Sequence, residues 1–72
     1  MKYNIKDKLK GKFGKIKEAG QLTPYTIQKG SIWEITNIME DGYTLTNLQT
    51  YKRLYNCSEA LIKLHFTKIR EK

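Results

Sequence analysis

The residue types that most often carry out catalysis or bind metals are few in this chain. It has one cysteine, Cys57, and one histidine, His65. Two such ligands are too few for a structural zinc site, and an internal disulfide needs a second cysteine. Cys57 ends an apolar and aromatic segment, where a free cysteine usually packs as a small hydrophobic residue. The alternative is a thiol activated by His65, which follows eight residues later.

The acidic residues are not paired in the way that hydrolysis requires. Glu40 and Asp41 are adjacent, but they lie in a turn sequence, and Glu34 belongs to a strand pattern. General acid–base catalysis needs two groups held on one defined face. The sequence also lacks a Walker loop and a GxGxxG motif for nucleotide cofactors. We therefore predict a binding protein with no enzymatic activity, no cofactor and no bound metal.

Positive charge is the strongest chemical signal in the sequence. The net charge is +7, and residues 1–17 alone carry +6, whereas residues 30–47 carry −3. A field of this kind attracts polyanions and speeds their encounter with the protein. The alternative is that the lysines only keep the outer side of exposed strands soluble.

The first segment alternates between apolar residues and lysines, which is the period of a β-strand. The predicted inward set is Tyr3, Ile5, Leu9 and Phe13. The predicted outward set is Lys6, Lys8, Lys10 and Lys12. Alternate residues on a strand lie about 6–7 Å apart, close to the phosphate spacing of a single nucleic-acid strand. The outward lysines are therefore candidate phosphate ligands, unless a bulge at Gly11 turns Lys12 away.

A second candidate surface lies in residues 51–57. Strand alternation places Tyr51, Arg53 and Tyr55 on one face, with Leu54 on the other. Two aromatic rings beside a guanidinium group form the kind of surface on which nucleic-acid bases stack. Half-buried tyrosines with solvated hydroxyl groups are also common on small barrels, so both interpretations remain open.

The elements that position these residues are mostly short strands. Residues 14–26 show little periodicity and predict the longest loop. Asp41-Gly42 lies between two alternating apolar runs, which predicts a tight hairpin, and a second tight turn follows at residues 49–50. The strands predicted around these turns are residues 31–38, 43–48 and 51–57.

A short helix and a last strand follow the meander. Ser58 is a good N-cap and Glu59 complements the helix dipole, which predicts a helix over residues 58–65 and a strand over residues 67–69. Alternation places Trp33 on the same strand face as Ile35, and Trp33 is either a core residue or part of an exposed stacking surface. The predicted core residues are Leu9, Ile35, Leu45, Leu61 and Ile69.

This order of elements resembles that of SH3-like small β-barrels. The resemblance rests on IKDKLKGK (residues 5–12), QKGSIWEI (28–35) and CSEALIKLHFTKI (57–69), and it covers nearly the whole chain. The chain is similar overall to uncharacterised SH3-like proteins of Gram-positive phages and mobile elements. The resemblance implies a five-stranded, mostly β barrel with one short helix before the last strand, and a fold alone carries no function.

Two classes of partner remain open. The first hypothesis is a basic module that binds DNA or RNA weakly, with little sequence preference, through the lysine row and the tyrosine face. The alternative is a protein-interaction module, such as a phage product that acts on a host or defence protein. The sequence has no membrane-spanning stretch, and a lone cysteine without an export signal predicts a cytoplasmic protein.

Overall fold

The computed structural model describes residues 3–16 and 25–69, and in these stretches the chain is mostly β with one short helix. The strands are β1 (Lys8–Gly11), β2 (Gly14–Ile16), β3 (Tyr25–Ile27), β4 (Ile32–Met39), β5 (Gly42–Asn47), β6 (Arg53–Cys57) and β7 (Phe66–Lys68). The helix α1 (Glu59–His65) lies directly before β7. The predicted mostly β fold with a short helix before the last strand is confirmed.

Five strands pair in one antiparallel sheet, in the order β6-β5-β4-β1-β7, and β2 pairs with β3 in a separate two-stranded sheet. The predicted meander is therefore present as β4, β5 and β6. The prediction of a continuous loop over residues 14–26 is wrong at both ends, where β2 and β3 form. Strands of three residues are too short to show alternation in the sequence. Residues 17–24 of the predicted loop lie outside the described residues.

The inner face of the large sheet forms the core together with residues of the small one. Its buried apolar residues are Leu9, Ile16, Ile27, Trp33, Ile35, Tyr43, Leu45, Leu54, Cys57, Ile62 and Phe66. Trp33 is fully buried, and its indole Nε1–H donates to Ser31 Oγ at 2.8 Å, so the prediction of a core position is confirmed.

Two of the five predicted core residues lie elsewhere. Leu9, Ile35 and Leu45 are fully buried, but Leu61 and Ile69 are only half-buried. The helix turns Ile62 inward instead of Leu61, which packs at the margin of the core. A shift of one position on so short a helix is enough to exchange the buried residue for its neighbour.

The predicted first strand is shorter than its alternating pattern. Asp7 N–H donates to the Asn4 carbonyl at 3.1 Å, which makes a turn before β1. The strand ends at Gly11, where the chain bends towards β2. Ile5 and Phe13, both expected to face inward, are therefore 52% and 76% exposed. Turns at both ends interrupt the alternation that the sequence suggested.

The β4–β5 hairpin forms at the predicted place but with different turn residues. Met39 pairs with Gly42, so Glu40 and Asp41 form the two-residue connection. Gly42 has φ 147°, and a Cβ on it would lie 2.7 Å from the Cys57 carbonyl oxygen. Glycine is needed here because the start of β5 lies against the end of β6.

The helix begins where the sequence predicts. Ser58 Oγ accepts the Leu61 N–H at 3.1 Å and caps α1. Glu59 Oε2 accepts a hydrogen bond from the Tyr43 hydroxyl at 2.8 Å, which ties the helix to the large sheet. No helix in the described stretches is long and apolar enough to cross a bilayer.

Candidate nucleic-acid interface

A cleft of about 420 Å³ opens at the end of β1. Its volume lies in the range of about 300–1,000 Å³ that is common for ligand sites. Three lysines, one aromatic ring and two small residues surround it. We call it the lysine cleft, and its residues are Lys10, Gly11, Lys12, Phe13, Lys29 and Thr67.

Gly11 brings the two lysine-bearing segments of this cleft together. Its N–H donates to the Ser31 carbonyl at 2.7 Å, and its own carbonyl accepts from Gly30 N–H at 2.9 Å. A Cβ on Gly11 would lie 2.5 Å from Ser31 Oγ and 2.8 Å from the Gln28 carbonyl oxygen. Because no side chain intervenes, β1 lies directly against the turn that carries Lys29.

The turn that carries Lys29 is anchored in the core. Ser31 N–H donates to the Gln28 carbonyl at 3.2 Å, and Gly30 has φ 87°, as the third residue of a type II turn requires. Ser31 Oγ donates to the same carbonyl at 2.7 Å and accepts from Trp33 Nε1–H. Lys29 therefore projects from a fixed backbone.

The opposite side of the lysine cleft is the bend at Phe13. Lys12 N–H donates to the His65 carbonyl at 2.8 Å, at the end of α1. A Cβ on Gly14 would lie 2.6 Å from His65 Nδ1, so the imidazole packs over this glycine. Phe13 stands between these two anchored positions with its ring exposed.

The charges in the lysine cleft are not neutralised by the described part of the chain. Within residues 3–16 and 25–69, no carboxylate lies within ion-pair distance of Lys10, Lys12 or Lys29. By contrast, Lys8 Nζ lies 2.7 Å from Glu34 Oε1, and both side chains are partly buried. The cleft therefore concentrates positive charge that an external anion can compensate.

The predicted row of four lysines is only partly formed. Lys8 and Lys10 lie on the outer side of β1, but Lys6 belongs to the preceding turn with φ 76°, and Lys12 follows the end of the strand. Lys10 and Lys12 nevertheless border the same cleft. Lys29 joins them, although no periodic pattern in the sequence predicts its place beside them. The sequence indicates only that Lys29 precedes Gly30 in a turn.

The predicted surface of Tyr51, Arg53 and Tyr55 is also only partly formed. Arg53 and Tyr55 lie on the outer side of β6 and border a cleft of about 260 Å³. Tyr51 does not line it, because this residue precedes β6 in a turn with φ 61°. We call this site the arginine–tyrosine cleft. Its residues are Thr36, Asn37, Met39, Thr44, Arg53 and Tyr55.

An acidic residue lies between the two clefts. Glu34 on β4 is the cross-strand neighbour of Lys8, and their ion pair occupies the middle of the outer face. Lys10 of the lysine cleft lies opposite Ile32, whereas the other cleft begins at Thr36. These two levels are about 13 Å apart along β4. A phosphate chain that joined the two clefts directly would pass the Glu34 carboxylate, so they form separate sites.

Cys57 and His65, the candidate catalytic pair, both pack against other parts of the fold. Cys57 is buried in the core, with Sγ 3.9 Å from the Tyr55 carbonyl oxygen, as expected for a packed free cysteine. His65 is half-buried over Gly14 and holds the Lys12 backbone. Both residues therefore support the fold around the candidate sites.

No protein-family model matches this chain, and no curated protein or solved structure matches it either. What the protein binds is therefore inferred from the chemistry of its own residues. The lysine cleft offers three lysine ammonium groups and one aromatic ring to a partner. The arginine–tyrosine cleft offers one guanidinium and one phenol among neutral side chains.

Proposed function

We propose that this protein is a non-enzymatic module that binds nucleic acid through the lysine cleft, with little dependence on base sequence. The observation that carries the proposal is the convergence of Lys10, Lys12 and Lys29 on one concave site without a carboxylate from the described residues. Lysine contacts to phosphate supply affinity and orientation but read no sequence.

We also propose that the two sheets together form an SH3-like barrel, and that the chain is akin to SH3-like proteins of Gram-positive phages and mobile elements. One shared core supports this arrangement. Ile16 of β2 and Ile27 of β3 pack in the same buried cluster as Leu9 and Trp33 of the large sheet. In such a barrel the lysine cleft lies where β1 meets the turn before β4.

The second candidate function is protein interaction through the arginine–tyrosine cleft, for example with a host or defence protein. Arginine, tyrosine and methionine are enriched in protein interfaces, and Arg53, Tyr55 and Met39 meet here. This cleft has a single positive charge, so it is less suited to a polyanion than the lysine cleft. Nucleic-acid binding is therefore the first proposal.

The test is a salt titration of binding to a labelled single strand of about 15 nucleotides. If the three lysines each neutralise one phosphate, log Kd should change with log salt with a slope of about 2 in magnitude. Replacing Lys10, Lys12 and Lys29 with Gln should weaken binding and flatten the slope. The matched control replaces Lys6, Lys15 and Lys52 with Gln, which removes the same charge outside the cleft and should retain the slope.

Two results would contradict the proposal. One is no binding to single- or double-stranded DNA or RNA at about 50 mM salt, where phosphate contacts are strong. The other is an equal loss of binding in both triple variants, because net charge rather than the cleft would then determine affinity. If no nucleic acid binds, protein interaction becomes the first proposal.

A further inference from the structure

Among the described residues, Phe13 is the one large apolar side chain that lines the lysine cleft, and this residue is 76% exposed. Burying a phenylalanine stabilises a fold by about 1.5–3 kcal/mol, and a domain of this size has little stability to spare. The chain nevertheless presents this ring to solvent beside Lys10, Lys12 and Lys29. An exposed ring among cations suits a partner that carries both negative charge and flat apolar surface.

The backbone around Phe13 is fixed before any partner arrives. On one side, Gly11 exchanges two hydrogen bonds with the segment that contains Gly30 and Ser31. On the other, Lys12 N–H bonds to the His65 carbonyl. A ring displayed on a fixed bend loses little conformational freedom when a partner stacks on it.

We infer that the lysine cleft selects unpaired nucleic-acid strands, with phosphates near the lysines and one base stacked on Phe13. This inference rests on the proposed function and specifies its ligand. In a single strand the faces of the bases are accessible next to the phosphates, and stacking on aromatic side chains is tolerant of sequence. In a duplex the base faces are covered by neighbouring base pairs, so Phe13 has no base on which to stack.

The concave shape of the site favours a nucleic-acid strand over an anionic membrane surface. Phe13 borders a cleft of about 420 Å³, which has room for a nucleotide, and the lysines surround that space. A membrane anchor needs several apolar residues along one amphipathic face, whereas Phe13 is the one large apolar residue of the described part of this site. Anionic vesicles therefore serve as a competing ligand in the test.

The experiment compares the wild-type protein with Phe13→Ala and Phe13→Trp on three labelled probes. The probes are a mixed-sequence single strand of about 15 nucleotides, an abasic strand of equal length, and the duplex of the first. Phe13→Ala should bind the single strand about tenfold more weakly with an unchanged salt slope, and Phe13→Trp should bind it at least as well as wild type. The abasic strand should bind weakly and equally to wild type and Phe13→Ala.

Leu64→Ala is the control, because it removes a large apolar side chain that is 70% exposed and lines neither cleft, so it should leave single-strand affinity unchanged. Equal melting temperatures of the variants would show that each remains folded.

If Phe13→Ala binds the single strand as tightly as wild type, the inference that a base stacks on Phe13 is wrong. The proposed function would be unaffected by this result, because the lysine variants test it separately. Tighter binding to anionic vesicles or to the duplex than to the single strand would also overturn the inference. No binding to any nucleic acid would overturn the proposed function itself.

Discussion

The two clefts of this domain are built in different ways. The lysine cleft is assembled from segments far apart in the sequence: the end of β1, the turn that carries Lys29, and Thr67 of β7. The arginine–tyrosine cleft lies on three consecutive strands, β4 to β6, where irregular pairing around Thr36 and Thr44 interrupts the sheet. One site depends on close approach between distant segments, and the other on local bulges.

The polar groups of the two clefts also differ in whether they have hydrogen-bond or ion-pair partners within the described part of the protein. In the arginine–tyrosine cleft, Thr36 Oγ1 lies 2.9 Å from Thr46 Oγ1 and 3.4 Å from the Thr44 carbonyl, so the hydroxyl groups bond within the protein. In the lysine cleft, three lysines line one space, and no carboxylate of the described residues lies within ion-pair distance of them. A basic composition therefore becomes a candidate site only where the fold brings lysines together without carboxylates to neutralise them.

The largest effect is expected from a change in the hydrophobic core of the domain. Ile35 is fully buried on β4, and Ile35→Ala should reduce the free energy of unfolding by about 2–5 kcal/mol, the usual range for such a deletion. That is most of the stability that a domain of this size has. Chemical or thermal denaturation measures it, and an unchanged melting temperature would refute the central place of Ile35 in the core.

Gly11→Ala should impair the lysine cleft and leave the arginine–tyrosine cleft intact. The added methyl would meet Ser31 Oγ and the Gln28 carbonyl, which should destabilise the fold by about 1–3 kcal/mol and displace Lys29. We expect weaker binding to the single strand without a change at the arginine–tyrosine cleft. Gly30→Asn is the control, since a Cβ there meets nothing within 4 Å and asparagine tolerates positive φ. Wild-type affinity in Gly11→Ala would show that this close approach does not build the site.

Loss of the helix cap should have a smaller effect that also falls on the lysine cleft. Ser58→Ala removes the acceptor for Leu61 N–H and should lower stability by about 1 kcal/mol. Helix α1 ends at His65, whose carbonyl holds Lys12, so a loosened helix should modestly weaken single-strand binding. Ser58→Asp retains a capping acceptor and should behave like wild type in both assays. Equal destabilisation by the two variants would exclude capping as the role of Ser58.

The smallest effect is expected in the arginine–tyrosine cleft. The double variant Arg53→Gln and Tyr55→Ala changes two exposed residues, and its free energy of unfolding should stay within about 0.5 kcal/mol per site. Its affinity for the single strand should match that of the wild type. A loss as large as that of the lysine-cleft variant would mean that the two clefts act as one surface.

Local patterns in the sequence were enough to predict the elements with clear local signals. The Ser58 cap, the hairpin near Asp41 and the strands of the meander depend on neighbouring residues, and the structure has them close to the predicted bounds. Alternation predicts that Leu9 faces the core, and alternation together with the resemblance to SH3-like barrels predicts the same for Ile35; both residues are fully buried.

The lysine cleft was not predictable in the same way. Phe13 matched the inward alternation, and only the bend after Gly11 shows why it faces solvent. Lys29 follows no pattern with the first segment, because its place beside Lys10 depends on backbone hydrogen bonds between segments about 20 residues apart. Contacts of this range leave little local signal.

The most direct test is to follow the backbone amide signals of the isotope-labelled protein by NMR while a single strand of about 15 nucleotides is added. Binding at the lysine cleft should shift the amides of residues 10–13, 29–30 and 67, and leave those of residues 36–39 and 53–55 in place. The largest shifts at residues 36–39 and 53–55, or no shifts at all, would contradict the lysine cleft as the nucleic-acid site.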